Sequence, residues 1–221
     1  MISNPSVPVL VSELTLDVPL ARQLANVHQL QTKFAKISRM EGVHVKKLIV
    51  ARIPSCGILP PNMMRNFRDH LVRVIDPTGT PHKILIGQRK TERVFSEMQY
   101  FKYSLTQFYG KRVQEFGYDQ MDIHDVANLF SETAIFISPH GSGMTNIMFM
   151  APGTTVIELI TDEWKHDFFK NLAEIYEINF IRVVVPGTKS SRIILGRNGV
   201  HQLLDLTMEA INKSPYLSDL K

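Results

Sequence analysis

The sequence predicts an α/β protein, a Rossmann-like parallel sheet with helices on both faces, and three observations carry that expectation. From residue 83 onward, short apolar runs alternate with segments of helical period. The runs are continuously apolar rather than alternating, as strands covered on both faces are. The chain has 221 residues, 44% hydrophobic and 21% charged, enough to bury a sizeable core, which excludes a disordered tail, a collagenous repeat or a disulfide-stapled mini-protein.

Taken in order, the N-terminal stretch MISNPSVPVLVSELTLDVP has no basic n-region and carries prolines and acids in its apolar part, so neither signal peptide nor anchor is legible. Between Asp17 and Met40, Leu20, Leu24, Val27, Leu30, Phe34 and Ile37 recur at spacings of three and four, which predicts an amphipathic helix. Lys47 to Ala51 reads as a strand. Pro54, Gly57, Pro60 and Pro61 make a loop that starts a helix near Asn62, with Phe67, Leu71 and Val74 inward. The run from Asp76 to Pro81 is turn chemistry and the best linker. It divides the chain into a reduced or truncated N-terminal lobe with linker helices over 1–78 and a Rossmann-like domain over 79–221.

In the second part, strands are expected at 83–87, 112–116, 134–138, 155–160 and 180–185. Helices are expected at 96–110, 123–131, 145–150, 164–176 and 203–212, with Asp122 as an N-cap and Asp125 in a box-like position after it. Prolines and glycines interrupt the longest uncharged stretch, 133–157, too often for a membrane helix. A soluble, cytoplasmic chain is expected, or one in the endoplasmic reticulum or Golgi lumen if it is part of a longer eukaryotic protein.

The formal charge of +4 suits an anionic small molecule and is too weak to argue for nucleic acid. The single Cys56 forbids an internal disulfide. The eight histidines show no metal-ligand spacing, no Asp-x-Asp pair is present to hold a metal, and no metal is expected.

The most informative stretch is Ser138-Pro-His-Gly-Ser-Gly-Met-Thr-Asn146. A buried strand ends at Ser138, Gly141 and Gly143 let the backbone approach a ligand, and a helix is expected near Met144 with its free N–H groups aimed at the loop, a geometry that binds phosphate at the C-terminal edge of parallel sheets. His140, Ser142, Thr145 and Asn146 add side-chain donors. A lipase-like oxyanion loop is excluded, because the chain has no Gly-x-Ser-x-Gly elbow. A dinucleotide fingerprint fails after two glycines. Arg89 and Arg93 follow the first strand of this half and, if helical, share a face suited to a diphosphate. Since parallel strands end on one edge, they would meet His140 there. Glu158, in an apolar strand, needs partners; it is read either as a ribose acceptor or as an acid paired with a neighbouring base.

At these residues the sequence resembles glycosyltransferase family 61, with Arg89-Lys-Thr-Glu-Arg93-Val-Phe-Ser96-Glu97, then His140-Gly-Ser-Gly-Met-Thr-Asn146, Phe149, Met150, Pro152-Gly153 and Glu158. The order and spacing agree over roughly 60–185. Ser142, Met144 and Ser96 stand where the family commonly has Ala, Leu and Asn. The resemblance implies an inverting, nucleotide-sugar-dependent transferase of the two-lobed GT-B type, of the kind found in capsular polysaccharide and glycoconjugate synthesis. It implies a UDP-sugar donor, a glycan or protein acceptor, no obligatory cofactor, and residues 79–221 as the donor-binding lobe. Arg89 and Arg93 would face the diphosphate, the loop of His140, Gly141, Ser142, Gly143, Thr145 and Asn146 would cradle the nucleotide, and Glu158 would support it. No catalytic base is matched; the catalytic residue is unknown, with His140 a candidate. A non-catalytic nucleotide- or anion-binding module derived from such a lobe is the alternative reading.

Overall fold

The computed structural model describes residues 9–12, 34–37, 60–117 and 121–220. Its centre is a sheet of five parallel strands: β3 (Lys83–Gln88), β4 (Val113–Gly117), β5 (Thr133–Pro139), β6 (Thr155–Thr161) and β7 (Asn179–Val185), in the order β4-β3-β5-β6-β7. All neighbouring pairs are parallel. Every residue of β5 and β6 is buried, which is why these two runs are the most uniformly apolar.

Successive strand residues point to opposite faces, and two cores result. On one face α1 (Pro61–Ile75), α3 (Ile123–Ser131) and α4 (Phe168–Ile175) pack over Leu85, Phe136 and Val156. On the other, α2 (Met98–Tyr109) and α5 (Gly196–Lys213) cover Ile84, Ile86, Ile135, Ile137 and Ile157. The α/β class with helices on both faces is therefore as the sequence predicts.

Several boundaries differ for identifiable reasons. Residues 34–37, placed in a helix by their spacing, form β2 (Phe34–Ile37), which pairs in parallel with β1 (Val9–Ser12); the rest of that segment, and the strand expected at 47–51, lie outside the described residues. The helix expected from Trp164 starts at Phe168, because 162–167 cross the sheet edge as a loop. The last helix begins at Gly196, seven residues earlier than its apolar period suggests. Its start is capped from afar, by Glu97 accepting from the amides of Leu195 (3.4 Å) and Gly196 (2.9 Å). Asp122 does cap α3, its Oδ1 accepting from the amide of His124 at 2.8 Å.

In α1, Leu71 is buried as expected, but Phe67 and Val74 are 41% and 40% exposed. The inward stripe is Met64, Arg68, Leu71 and Ile75, and the polarity of Arg68 hides it from a hydrophobic pattern. Arg68 donates to the carbonyls of Met148 (2.9 Å) and Met150 (2.7 Å) and lies 5.0 Å from the Tyr176 ring centroid. Counted with the first lobe by the sequence reading, α1 thus joins the core of the sheet. The segment read as a linker is packed too: the amide of Gly79 donates to Ser131 Oγ at 3.1 Å, Pro81 is buried, and a Cβ at Gly79 would overlap Ser131.

Tyr176 is 1% exposed and its hydroxyl has no partner among the described residues. Burial pushes its pKa up to about 12, Arg68 offsetting only part of the effect. Below the ordinary value of about 10 both folded and unfolded chains hold this proton. Between about pH 10 and 12 the unfolded chain releases it first, so stability falls as pH rises, by on the order of 2 kcal/mol from this group. Urea midpoints at about pH 9 and about pH 11.5 should converge for Tyr176→Phe relative to the wild type; an identical pH slope in the two proteins refutes the assignment.

Candidate functional site

The strand order sets the site. From β3 the chain moves outward to β4, then returns across β3 to β5 and continues through β6 to β7. The direction of winding reverses between β3 and β5, and crevices form at the carboxyl ends of strands flanking such a reversal. The loops at that point are the ones bearing Arg89 and His140.

These loops touch. The guanidinium of Arg89 occupies the space a Cβ on Gly141 would fill, so only glycine admits it there, and its Nε donates to the carbonyl of Glu92 at 2.9 Å. Residues 90–93 form bends rather than a helix, so Arg89 and Arg93 do not share a helical face. The chain turns instead, because Phe95 bridges to Ile193 and the amides of Ile193 and Ser96 bond to the carbonyls of Val94 and Ile193, each at 2.9 Å. Arg93 takes the left-handed conformation, φ 53°, unusual for a branched cation. Its guanidinium lies 5.4 Å from the centroid of Trp164. Both arginines therefore sit at the carboxyl edge, brought there by a turn.

Beyond β5, residues 142–149 form a 3-10 helix, Ser142–Phe149, in place of the short helix expected at 145–150. The amide of Met144 is not free; it donates to the carbonyl of Gly141 at 2.9 Å. Ser142 is exposed, Gly143, Thr145 and Asn146 are half-buried, and Met144 is buried beneath them.

His140 and Glu158 form the best-defined pair. The His140 amide donates to the carbonyl of Leu159 at 2.8 Å, which holds the residue against β6. Its Nδ1 is 2.6 Å from Glu158 Oε1, and the side chains are 5% and 1% exposed. Glu158 is in register with Arg182 on β7, so the two project from the same face, and Arg182 Nε donates to Glu158 Oε2 at 2.8 Å. Arg182 Nη1 in turn donates to Asp167 Oδ1 at 2.5 Å. Burial draws the Arg182 pKa down, but the bonds to Asp167 and Glu158 outweigh it and hold the group above its ordinary value. Asp167, Arg182, Glu158 and His140 thus form one chain of charge-assisted contacts ending on an imidazole.

Aromatic rings wall in that imidazole: Trp164 at 4.4 Å, Phe169 at 5.2 Å and His166 at 5.3 Å between centroids. Partial burial, then the neighbouring His140, lower the pKa of His166. Lys189 Nζ also approaches Trp164, at 5.3 Å. Further along the edge, an open cavity of about 590 Å³ is lined by Asp162, Glu163, Lys165, Gly187 and Thr188. Asp162 and Glu163 shape it by accepting from the amides of Gly187 and Lys189.

Sequence reasoning missed Trp164, Asp167, Arg182 and Lys189. The one signal available was Arg182, a cation inside the apolar run Phe180 to Val185, which needs an acid on an adjacent strand. Among the described residues, no three His, Cys, Asp or Glu side chains are grouped to hold a metal, and no helix is long and apolar enough to cross a membrane. A family model described as Glycosyltransferase 61 matches residues 6–157, a span that includes Arg89, Arg93 and the His140 to Asn146 loop. No curated protein matches the chain.

Proposed function

The chain belongs to glycosyltransferase family 61, and on that premise we propose that it transfers a sugar from a UDP-sugar to a glycan or protein acceptor with inversion at the anomeric carbon. In this reading residues 79–221 are the donor-binding lobe of a GT-B architecture. The pathway class is polysaccharide or glycoconjugate synthesis. The observation that carries it is the contact of Arg89 with Gly141 at the point where the sheet reverses its winding.

The physical reason is the charge of the leaving group. As the bond from the anomeric carbon to the diphosphate breaks, negative charge grows on phosphate oxygens, and fixed cations at that place lower the barrier. Arg89 and Arg93 are such cations, and the turn at 89–93 brings both to the carboxyl edge beside His140 and Trp164. Ser142, Thr145 and Asn146 surround the same mouth with neutral donors for the nucleotide.

Calorimetry with UDP tests the reading. The wild type should bind, and Arg93→Ala should weaken binding about 10- to 100-fold, the equivalent of one lost charge-assisted contact. Gly141→Ala should weaken it comparably by displacing the Arg89 guanidinium, with a melting temperature within about 2 °C of the wild type, because the end of a flexible side chain moves at little energetic expense. No heat at millimolar UDP, or unchanged affinity in Arg93→Ala, sinks the proposal.

A further inference from the structure

We propose that His140 is the catalytic base of the transfer and that Glu158, anchored by Arg182 and Asp167, is the positioning residue that makes it one. This rests on the reading that the chain transfers a sugar, and it assigns the proton-accepting group that the resemblance leaves blank.

The arrangement is costly to fold. A carboxylate with 1% of its side chain exposed, in the middle of an apolar sheet, is stable only when both oxygens are engaged by cations or strong donors. An apolar residue at 158 would complete the core without that requirement. The structure instead aligns Glu158 with Arg182 across β6 and β7 and points the remaining oxygen at a histidine on the loop at the reversal point.

The chemistry of the pair follows. A carboxylate at Nδ1 takes the Nδ1–H bond, fixes that tautomer and leaves the Nε2 lone pair as the proton acceptor; it then stabilises the imidazolium that forms. No hydrogen bond to Nε2 is made among the described residues. Arg182 fixes the plane of the Glu158 carboxylate, while Trp164 and Phe169 pack against the imidazole and help to exclude water from the buried pair. In the transfer, the acceptor hydroxyl oxygen bonds to the anomeric carbon. The bond from that carbon to the diphosphate breaks and its electron pair leaves with the phosphate, beside Arg89 and Arg93. The hydroxyl proton passes to Nε2, and the imidazolium returns it to water after the products leave. Nothing beyond donor and acceptor is consumed.

The charged groups facing His140 come from every neighbouring element: Glu158 on β6, with Arg182 of β7 behind it, His166 and Asp167 on the following loop, Arg89 against Gly141, and Arg93 and Lys189 across Trp164. The cations oppose an imidazolium and Glu158 is its direct counter-ion. Loss of the Glu158 charge therefore removes the one anion in direct contact with the ring and leaves the cations unopposed.

Trp164 reports this directly, because it is the chain's only tryptophan and an imidazolium quenches an indole in contact with it, here at 4.4 Å between centroids. The test uses the full chain with His166→Gln as background, so that the second imidazole beside Trp164 is silent. Three variants on that background, unaltered, Glu158→Gln and His140→Gln, are compared. Trp164 fluorescence is followed between about pH 4.5 and 9. UDP affinity is measured by calorimetry, and turnover as UDP release from UDP-xylose and UDP-N-acetylglucosamine with water as acceptor.

His140→Gln should abolish the fluorescence inflection, and Glu158→Gln should move it to lower pH. Both should lower the maximal rate of UDP release about 10²- to 10⁴-fold, with UDP affinity within about threefold. An inflection unmoved by Glu158→Gln overturns the proposal. So does UDP release from His140→Gln within about fivefold of the background, or a loss of UDP affinity there without loss of rate, which makes His140 a donor ligand. If Glu158→Gln fails to fold, His140→Gln still decides the base. If the background protein binds no UDP at millimolar concentration, the donor reading fails, and the fluorescence titration alone decides the pair.

Discussion

Glu158→Ala should lower the unfolding free energy by about 3–5 kcal/mol, the range for removing one partner from a buried ion pair. Glu158 is buried, and its oxygens lie 2.6 Å from His140 Nδ1 and 2.8 Å from Arg182 Nε. Alanine leaves the imidazole without its acceptor and Arg182 with Asp167 as its remaining carboxylate. Glu158 and Arg182 should also be energetically coupled. In a cycle with Arg182→Ala, the two single losses should sum to at least about 1 kcal/mol more than the loss in the double variant, because removal of both partners leaves no uncompensated charge. Urea unfolding of the four proteins measures this; a loss below about 1 kcal/mol for Glu158→Ala means that the carboxylate is not acting as a buried ion.

Phe130→Ala should lower stability by a similar amount, about 3–5 kcal/mol, through a different mechanism. Phe130 is fully buried on α3. Its ring meets Phe116 edge-on at 5.1 Å and Phe136 at 5.0 Å, so it joins β4, β5 and α3 at one point. Alanine removes both edge contacts, each worth about 0.5–1.5 kcal/mol beyond burial, and leaves a void between rigid strands that cannot collapse far. Phe108, 70% exposed on α2, is the internal control, and its alanine variant should stay within about 0.5 kcal/mol of the wild type. Comparable losses at the two positions contradict the burial described here.

The elements that sequence reading placed well are those whose signal is local. Strands β3, β5, β6 and β7 are rich in branched and aromatic residues and long enough to cross a sheet, and α3 carries its own cap in Asp122. Its errors share one cause, a partner far along the chain. The start of α5 depends on Glu97, about a hundred residues earlier. The inward face of α1 contains Arg68, whose bonds go to carbonyls of Met148 and Met150. The strand Phe34–Ile37 takes its pairing from Val9–Ser12.

The site divides in the same way. Arg89, Arg93, His140 and the glycines of its loop could be singled out, because each group directly follows an apolar strand and a parallel sheet brings such loops to one edge. Trp164, Arg182 and Asp167 were not, because nothing in a single strand or loop states which neighbour it will meet.

By itself, then, the sequence determined the α/β class, the place of each strand in the second half, and the two loops that follow β3 and β5, since apolar periodicity, caps and glycine act over a few residues. Only the tertiary structure decided the strand order, the reversal between β3 and β5, and the register that sets Glu158 opposite Arg182 and turns it toward His140. Those depend on which strands share hydrogen bonds, a choice made by burial of whole faces rather than by any local run of residues.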